Sequence, residues 1–303
     1  MKKLTLLALC LMWTVASFAQ NALFYKSEDG SGAIIGVGAD HSLSVAKEIS
    51  DATIGKDWTH IVHIGGKLMF YNANTGAAAI GTATANDIKI NNTFDVGKLP
   101  TAYTHLISLG STRVLCYNAK DGSGSVGNIT GTNDYKNLKS FNAGGLPKGF
   151  THLTAVNTNA GGTKILFYNT NDGSGGIGAI SSDGAPQMLK TYAAGKFTKG
   201  WTGIVSVEGK IIYYNSVNGS AVLGMLPPNN ELQTVKTYQP DSFPLNFSHL
   251  VNIGGKILYY NANDGGAAIG VVTSSEHVFA KQFPSAAIKP GYSHVVKGAV
   301  TIK

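Results

Sequence analysis

The fold is decided by the stretch LFYNTNDGSGGIG at residues 166–178. An apolar and aromatic run, Leu166 to Tyr168, leads into an Asp-Gly turn and then into a second run of small and apolar residues, which is the pattern of a β-hairpin. Variants of this phrase recur with the tyrosines 46, 46, 51, 46 and 46 residues apart. The six tyrosines are Tyr25, Tyr71, Tyr117, Tyr168, Tyr214 and Tyr260. A fixed period between 20 and 50 residues indicates a solenoid, a propeller or an array.

A second phrase precedes each hairpin: an aromatic residue, then Thr or Ser, then usually His. Its aromatic residues are Trp58, Tyr103, Phe150, Trp201, Phe247 and Tyr292. His follows at five of the six places, and Gly203 stands at the sixth. The repeating unit shows four short strand patterns and no helical periodicity. In the second unit they cover residues 59–64, 67–72, 77–82 and 87–92.

Four antiparallel strands and a crossover, repeated about every 46 residues, predict the blade of a β-propeller. The chain enters a unit at its second strand, Leu23 to Tyr25, and the last strand pattern, Ser293 to Val296, is the first strand of a unit. We therefore expect an all-β, six-bladed β-propeller over residues 20–303, a single domain whose first blade is completed by the C-terminal strand. Closure of this kind removes the exposed edge of an open array.

Residues 1–19 have the features of a signal peptide: Lys2 and Lys3, a short apolar run, and Ala-Ser-Phe-Ala at 16–19. The apolar run is too short for a bilayer span. We therefore predict a secreted protein, extracellular or periplasmic, that starts at Gln20 after cleavage. Removal of the two lysines lowers the net charge from +7 to +5, and Cys116 is then the only cysteine. No intrachain disulfide can form.

The composition argues against several partners. Arg113 is the only arginine, and the lysines are not clustered as they are on nucleic-acid-binding faces. No second apolar segment is long enough for membrane insertion. The oligomeric state stays open.

One face of the predicted propeller carries the six aromatic residues and the loops that follow the second strands. Those loops begin at Asn72, Asn118, Asn169, Asn215 and Asn261. Aromatic rings stack on sugar C–H faces, and amides pair with hydroxyls, so these eleven residues are candidate sugar-binding residues. The alternative is that the aromatic rings pack between blades.

We expect no metal, cofactor or catalytic site. The five histidines lie on separate units without metal-ligand spacing, and a bond to a neighbouring strand explains them better. The Asn-x-Asn-Asp-Gly loops lack the spacing of calcium loops and fit hairpin turns. No nucleophile elbow or phosphate-binding loop occurs.

The phrases Gly200-Trp201-Thr202 and 166–178 resemble bacterial propeller lectins of the PLL type and, more loosely, tectonin-like proteins. The resemblance covers the mature chain. It implies a propeller that binds glycans, often fucosylated or O-methylated, without catalysis. PLL-type members have seven blades and tectonin-type members can have six. Tryptophan stands only at Trp58 and Trp201 among the six aromatic positions.

The leading hypothesis is therefore a secreted, non-enzymatic lectin with several equivalent sites on one face. A protein-interaction or matrix scaffold is the second hypothesis. A secreted hydrolase with a site in the central channel is the third; it needs an acid/base pair that is unique in the chain, and the repeated phrases contain none.

Overall fold

The computed structural model describes residues 20–84, 86–158 and 162–298. Six four-stranded antiparallel sheets are arranged as the blades of a propeller, and this confirms the predicted all-β, six-bladed architecture. The predicted leader, residues 1–19, lies outside the described residues. In the described part of the chain, no helix is long and apolar enough to cross a membrane.

Each blade runs from an inner strand at the central channel to an outer strand at the rim. The strands are β1 (Gln20–Tyr25), β2 (Gly32–Val37) and β3 (Leu43–Ile49) in blade 1; β4 (His60–Ile64), β5 (Lys67–Tyr71), β6 (Ala78–Ala83) and β7 (Ile88–Phe94) in blade 2; β8 (His105–Ser108), β9 (Arg113–Tyr117), β10 (Gly124–Ile129) and β11 (Tyr135–Phe141) in blade 3; β12 (His152–Thr158), β13 (Gly162–Tyr168), β14 (Gly175–Ile180) and β15 (Pro186–Tyr192) in blade 4; β16 (Gly203–Val207), β17 (Lys210–Tyr214), β18 (Ala221–Met225) and β19 (Gln233–Tyr238) in blade 5; β20 (His249–Asn252), β21 (Lys256–Tyr260), β22 (Ala267–Val272) and β23 (His277–Phe283) in blade 6; and β24 (His294–Lys297), which belongs to blade 1.

The four strands expected in the second unit are present, with ends that differ by one or two residues. One short helix, α1 (Asp51–Ile54), lies in the crossover from blade 1 to blade 2, although the repeating unit shows no helical periodicity in its sequence.

The first blade is closed by the last strand. β24 pairs antiparallel with β1, so that His294 lies opposite Tyr25 and Val296 opposite Leu23. The six inner strands also contact one another in a complete circle, from β4 through β8, β12, β16 and β20 to β24 and back to β4. The ring is therefore closed by strand pairing, as the split unit predicts.

The apolar core lies between the blades. In one cluster, Met69 and Ile80 of blade 2 pack on Val114 and Cys116 of blade 3, and all four are fully buried. Similar clusters form at the other joints. A blade therefore buries both faces against its neighbours, which explains why its two inner hairpin strands are almost continuously apolar.

Glycine is required where each hairpin loop passes under the crossover. Gly122 has φ +79°, and a Cβ there would lie 1.9 Å from the carbonyl oxygen of Leu146. The Gly122 amide instead donates to the carbonyl of Asn118, and its carbonyl accepts from Leu146 N. The close approach fixes the path of the crossover over the face of the propeller.

Candidate functional site

The structure places the repeated aromatic residues in the joints between blades. Tyr103, Phe150, Trp201, Phe247 and Tyr292 are each at most 7% exposed. Trp58 is half-buried and donates from Nε1 to the carbonyl of Ile54 at 3.0 Å. These rings contribute to packing between blades and do not form an open stacking surface.

The repeated tyrosine holds each crossover in place. The Tyr71 hydroxyl donates to the carbonyl of Pro100 at 2.6 Å and accepts from the amide of Tyr103 at 3.3 Å. Tyr214 does the same with Pro244 and the amide of Phe247. Burial raises the pKa of Tyr71 to about 12, so the hydroxyl stays protonated. The tyrosine and the aromatic residue of the next repeat are thus parts of one structural contact.

The repeated asparagines close the turns after the second strands. Asn72 Oδ1 accepts the amides of Asn74 and Thr75, and its Nδ2 donates to the carbonyl of Asp57. Asn118, Asn169, Asn215 and Asn261 accept the amide two residues on in the same way. Their side-chain oxygens are committed to local turns of the kind that Asn favours.

Five histidines, which we call the staple histidines, hydrogen-bond each inner strand to the next blade. They are His60, His105, His152, His249 and His294. In each, Nε2 lies 2.8–3.2 Å from the carbonyl oxygen of the Thr or Ser in the second phrase of the next blade. Burial lowers their pKa values, so they are neutral. Their role is the structural one that the sequence indicates.

The joint after Gly203 has no such histidine. A Cβ at Gly203 would lie 3.2 Å from a δ carbon of Leu250, whose side chain takes the space. Asn252 of blade 6 instead donates from Nδ2 to the carbonyl of Ser206 in blade 5 at 2.7 Å. A hydrogen bond three residues further along the strand therefore connects these two blades.

A second ring of side chains lies in the channel, three residues after the staple positions, and does not repeat. We call it the channel ring: His63, Ser108, Ala155, Ser206, Asn252 and Lys297. All six line a central cavity of about 400 Å³. Glu208, in the turn after β16, lines the same cavity. Unlike the staple histidines, these residues give the channel a different chemistry on each side.

His63 is the most unusual member of the channel ring. Its Nε2 is buried and has no hydrogen-bond partner among the described residues. Burial, with a further contribution from the positive charge of Lys297, lowers its pKa to about 4. His63 is therefore neutral at physiological pH, and its uncharged imidazole lines the channel.

The other members of the channel ring differ in how many of their polar groups already have partners. Asn252 Oδ1 accepts the amides of Gly254 and Gly255 and Nδ2 donates to Ser206, so three of its four hydrogen-bonding positions are used. Ser108 Oγ accepts the amide of Gly110 at 3.4 Å and keeps its own proton for donation. Lys297 forms no salt bridge with any described residue. The described part of the chain contains no cluster of three or more His, Cys, Asp or Glu residues that could hold a metal ion.

Sequence reasoning missed the channel ring because it followed the residues that repeat. The usable signal was the opposite one: a position that varies from unit to unit, with five residue types in six units. Aligning the six inner strands on the staple position would have shown His, Ser, Ala, Ser, Asn and Lys in succession.

No family model matches the chain, and no curated protein matches it. Solved structures do share its fold. The periplasmic gluconolactonase of Pseudomonas aeruginosa is 13% identical with a TM-score of 0.56, covering 89% of this chain and 84% of that one. A proposed 6-phosphogluconolactonase from Bacteroides uniformis is 14% identical with a TM-score of 0.54, covering 88% and 83%. A protein from Lactobacillus plantarum is 12% identical with a TM-score of 0.55, covering 87% and 82%.

These matches correct three expectations. The resemblance to PLL-type and tectonin-like lectins is wrong, because several structures that share the fold are described as lactonases and none of these as a lectin. The expected lectin function and the expectation that the protein is not an enzyme are wrong for the same reason. At such low identity the likeness itself establishes the propeller fold, so any activity has to be argued from this chain's own residues.

Proposed function

We propose that the protein is an exported hydrolase of a small cyclic ester, a lactone, which binds in the central channel with His63 as general base. The observation that carries the proposal is the neutral imidazole of His63 in the channel wall, near the ammonium of Lys297; among the described residues, His63 Nε2 has no hydrogen-bond partner and Lys297 has no salt-bridge partner. The two residues come from the neighbouring inner strands β4 and β24.

Lactone hydrolysis needs groups of this kind. Water attacks the ring carbonyl carbon while a base takes its proton, and negative charge develops on the carbonyl oxygen. His63 would accept the proton, and Lys297 would stabilise the oxyanion. As the ring C–O bond breaks, the proton passes from His63 to the departing ring oxygen, which leaves a hydroxyl and a carboxylic acid.

The channel also fits the size and polarity of such a substrate. A cavity of about 400 Å³ is within the usual range for small-molecule sites. Ser108, Ser206 and Glu208 provide donors and acceptors for hydroxyl groups. The match to a gluconolactonase supports a polyhydroxylated lactone derived from a sugar acid.

Export supports the same proposal. The leader features of residues 1–19 predict export from the cytoplasm, and the matching gluconolactonase is described as periplasmic. We propose an extracellular or periplasmic location, where the substrate would be a diffusible sugar-derived lactone.

The test is hydrolysis of glucono-δ-lactone by the chain that begins at Gln20, followed by acid release in a pH-stat with the spontaneous rate subtracted. His63→Gln keeps hydrogen-bonding capacity but removes the base, and we expect kcat to fall about 100-fold or more. Lys297→Met keeps the length of the side chain and removes the charge, and we expect a fall of similar order.

His41→Asn is the matched control. It also replaces a histidine by an amide, in the turn between β2 and β3, where Asn tolerates the observed φ of 64°. This variant should keep full activity. Absence of hydrolysis above background with the native protein, or equal loss in His41→Asn and His63→Gln, would reject the proposal.

A further inference from the structure

A second cavity, away from the channel, lies between the crossover that leads from blade 4 to blade 5 and the outer strands of blade 5. Its volume is about 270 Å³. The walls are formed by Phe197, Trp201, Tyr213 and Leu232, and Thr234 lies beside them. Phe197 and Tyr213 are stacked at an interplanar angle of 21° with their ring centroids 6.4 Å apart. The aromatic rings and Leu232 form a flat apolar part of the wall, and Lys196, Thr198 and Gln233 add polar groups around it.

One buried polar atom lies in this cavity wall. Tyr213 is 5% exposed, and its hydroxyl has no hydrogen-bond partner among the described residues. Burial raises the pKa of Tyr213, so the hydroxyl is protonated and can donate. A buried hydroxyl without a partner costs about 1–3 kcal/mol of free energy, so its presence needs an explanation.

In blade 6 the equivalent tyrosine hydroxyl has a partner, although Nδ1 of that partner, His277, has none among the described residues. Tyr259 is the counterpart of Tyr213, and its hydroxyl lies 2.9 Å from Nε2 of His277. At the position of His277, blade 5 carries Leu232, which has no polar atom to offer. The partner that satisfies the tyrosine in blade 6 is therefore missing in blade 5.

The strand register explains why a cavity forms in blade 5. Gly270 of blade 6 lies opposite Phe279, whose ring packs on Tyr259 with centroids 5.1 Å apart. The equivalent Gly224 of blade 5 lies opposite Thr234. Replacing an aromatic ring by a threonine at this place opens the space above Tyr213.

We propose that this cavity, here called the Tyr213 pocket, binds a small planar aromatic molecule with one hydrogen-bonding oxygen, a phenol. The aromatic and aliphatic walls fit a flat apolar body, as Phe279 does in blade 6. The Tyr213 hydroxyl bonds the oxygen, as His277 bonds Tyr259. The Tyr213 pocket is distinct from the channel, and binding of a phenol there does not depend on the proposed hydrolysis.

The tryptophan in the pocket provides a direct readout. In the chain that begins at Gln20, Trp58→Phe leaves Trp201 as the only tryptophan. Phenol is titrated while Trp201 fluorescence is excited at the red edge of its absorption, where phenol does not absorb. We expect a saturable change, with at least fivefold weaker binding of toluene, which has the same shape without the hydroxyl.

Three variants copy residues that other blades already carry. Tyr213→Phe, the residue found at Phe70 and Phe167, should weaken phenol binding about fivefold to tenfold and leave toluene binding unchanged. Thr234→Phe, which copies Phe279, should abolish binding of both. Leu232→His, which copies His277, should satisfy the tyrosine internally and weaken phenol binding.

Tyr259→Phe is the matched control and should leave phenol binding unchanged. Circular dichroism verifies that each variant keeps the native sheet. The proposal is overturned if phenol gives no saturable signal, if toluene binds as tightly as phenol, or if folded Thr234→Phe binds phenol like the parent protein.

Discussion

Nε2 of His60 lies 3.0 Å from the carbonyl oxygen of Thr104, so an imidazole of blade 2 hydrogen-bonds to the backbone of blade 3. A carbonyl can only accept, and Nε2 therefore carries the proton. Nδ1 is then free to accept from the Thr59 hydroxyl, 2.9 Å away. A single neutral ring thus uses both nitrogens, one within its own blade and one across the joint.

This arrangement predicts the cost of removing a staple histidine. His60→Leu fills similar space but leaves the Thr104 carbonyl without this partner in a joint that is largely buried. We expect the free energy of unfolding to fall by about 1–3 kcal/mol, measured by urea denaturation. The turn variant His41→Asn should change it by less than about 0.5 kcal/mol. Equal stabilities for both variants would show that the staple contributes nothing.

The buried histidines also predict a loss of stability in acid. The pKa of His277 is about 4 in the fold because of burial, against 6.5 for a free histidine. The unfolded chain therefore binds more protons in this range, and the stability from the neutral ring is complete above pH 6.5 and lost as the pH falls toward 4. The difference corresponds to on the order of 3 kcal/mol for this residue.

The check is the free energy of unfolding of native protein and His277→Leu across this pH range. The leucine is the residue that blade 5 carries at the same place, Leu232. Above pH 6.5, the free energy of unfolding of the variant should be lower than that of the native protein, because Tyr259 loses its partner. It should also fall less steeply as the pH is lowered. The staple histidines add to the slope in both proteins. If the free energies of unfolding of the two proteins changed in parallel with pH, His277 would not be a source of the loss of stability in acid.

Alanine substitutions at two glycines of blade 3 distinguish the cost of backbone strain from the cost of a steric clash. Gly122 and Gly144 have φ of +79° and +81°, but a Cβ would meet the Leu146 carbonyl at 1.9 Å in the first case and no atom within 4 Å in the second. Gly144→Ala should cost about 1 kcal/mol of unfolding free energy, since alanine is strained at this φ. Gly122→Ala should cost at least twice as much. Chemical denaturation of both variants measures the difference, and equal losses would mean that the crossover shifts freely.

Cys116 should behave as an inert core residue. It is fully buried, and burial raises the pKa of its thiol to about 12. Thiolate is the reactive form, so the folded chain from Gln20 should not react with a disulfide reagent that labels one thiol per chain in denaturant. Thr132→Cys, in an exposed turn of the same blade, should add one rapidly reacting thiol. Fast labelling of Cys116 in native protein would reveal frequent opening of the joint between blades 2 and 3.

The repeats could be read from the sequence because they record contacts made six times over. The spacing of Tyr71 from Tyr117 reports a complete blade, and the Asp-Gly turns report its hairpins. The aromatic residues were harder to interpret. The sequence predicts Tyr103 beside the loops of one face, and only the folded structure shows that its ring turns inward to the joint and bonds Ser125 at 3.0 Å.

The two candidate sites depend on departures from the repeat. His63 and Lys297 occupy equivalent positions in two repeats that are far apart along the chain. Only closure of the ring makes these two residues neighbours. The Tyr213 pocket depends on Thr234, which stands where blade 6 carries Phe279; the register shift that places either residue opposite a glycine is shared by all six blades. A bulge of this kind has no simple sequence signal, so the small residue cannot be placed in the cavity beforehand.

The pairing of β24 with β1 sets an order for assembly. Blades 2 to 6 are each made from a continuous stretch of chain, and each can form as soon as its own four strands have left the ribosome or the export channel. The first blade has to wait for the last strand to be synthesised. Until then, the inner edge of β1 is unpaired, and the domain is an open arc whose two ends have yet to meet.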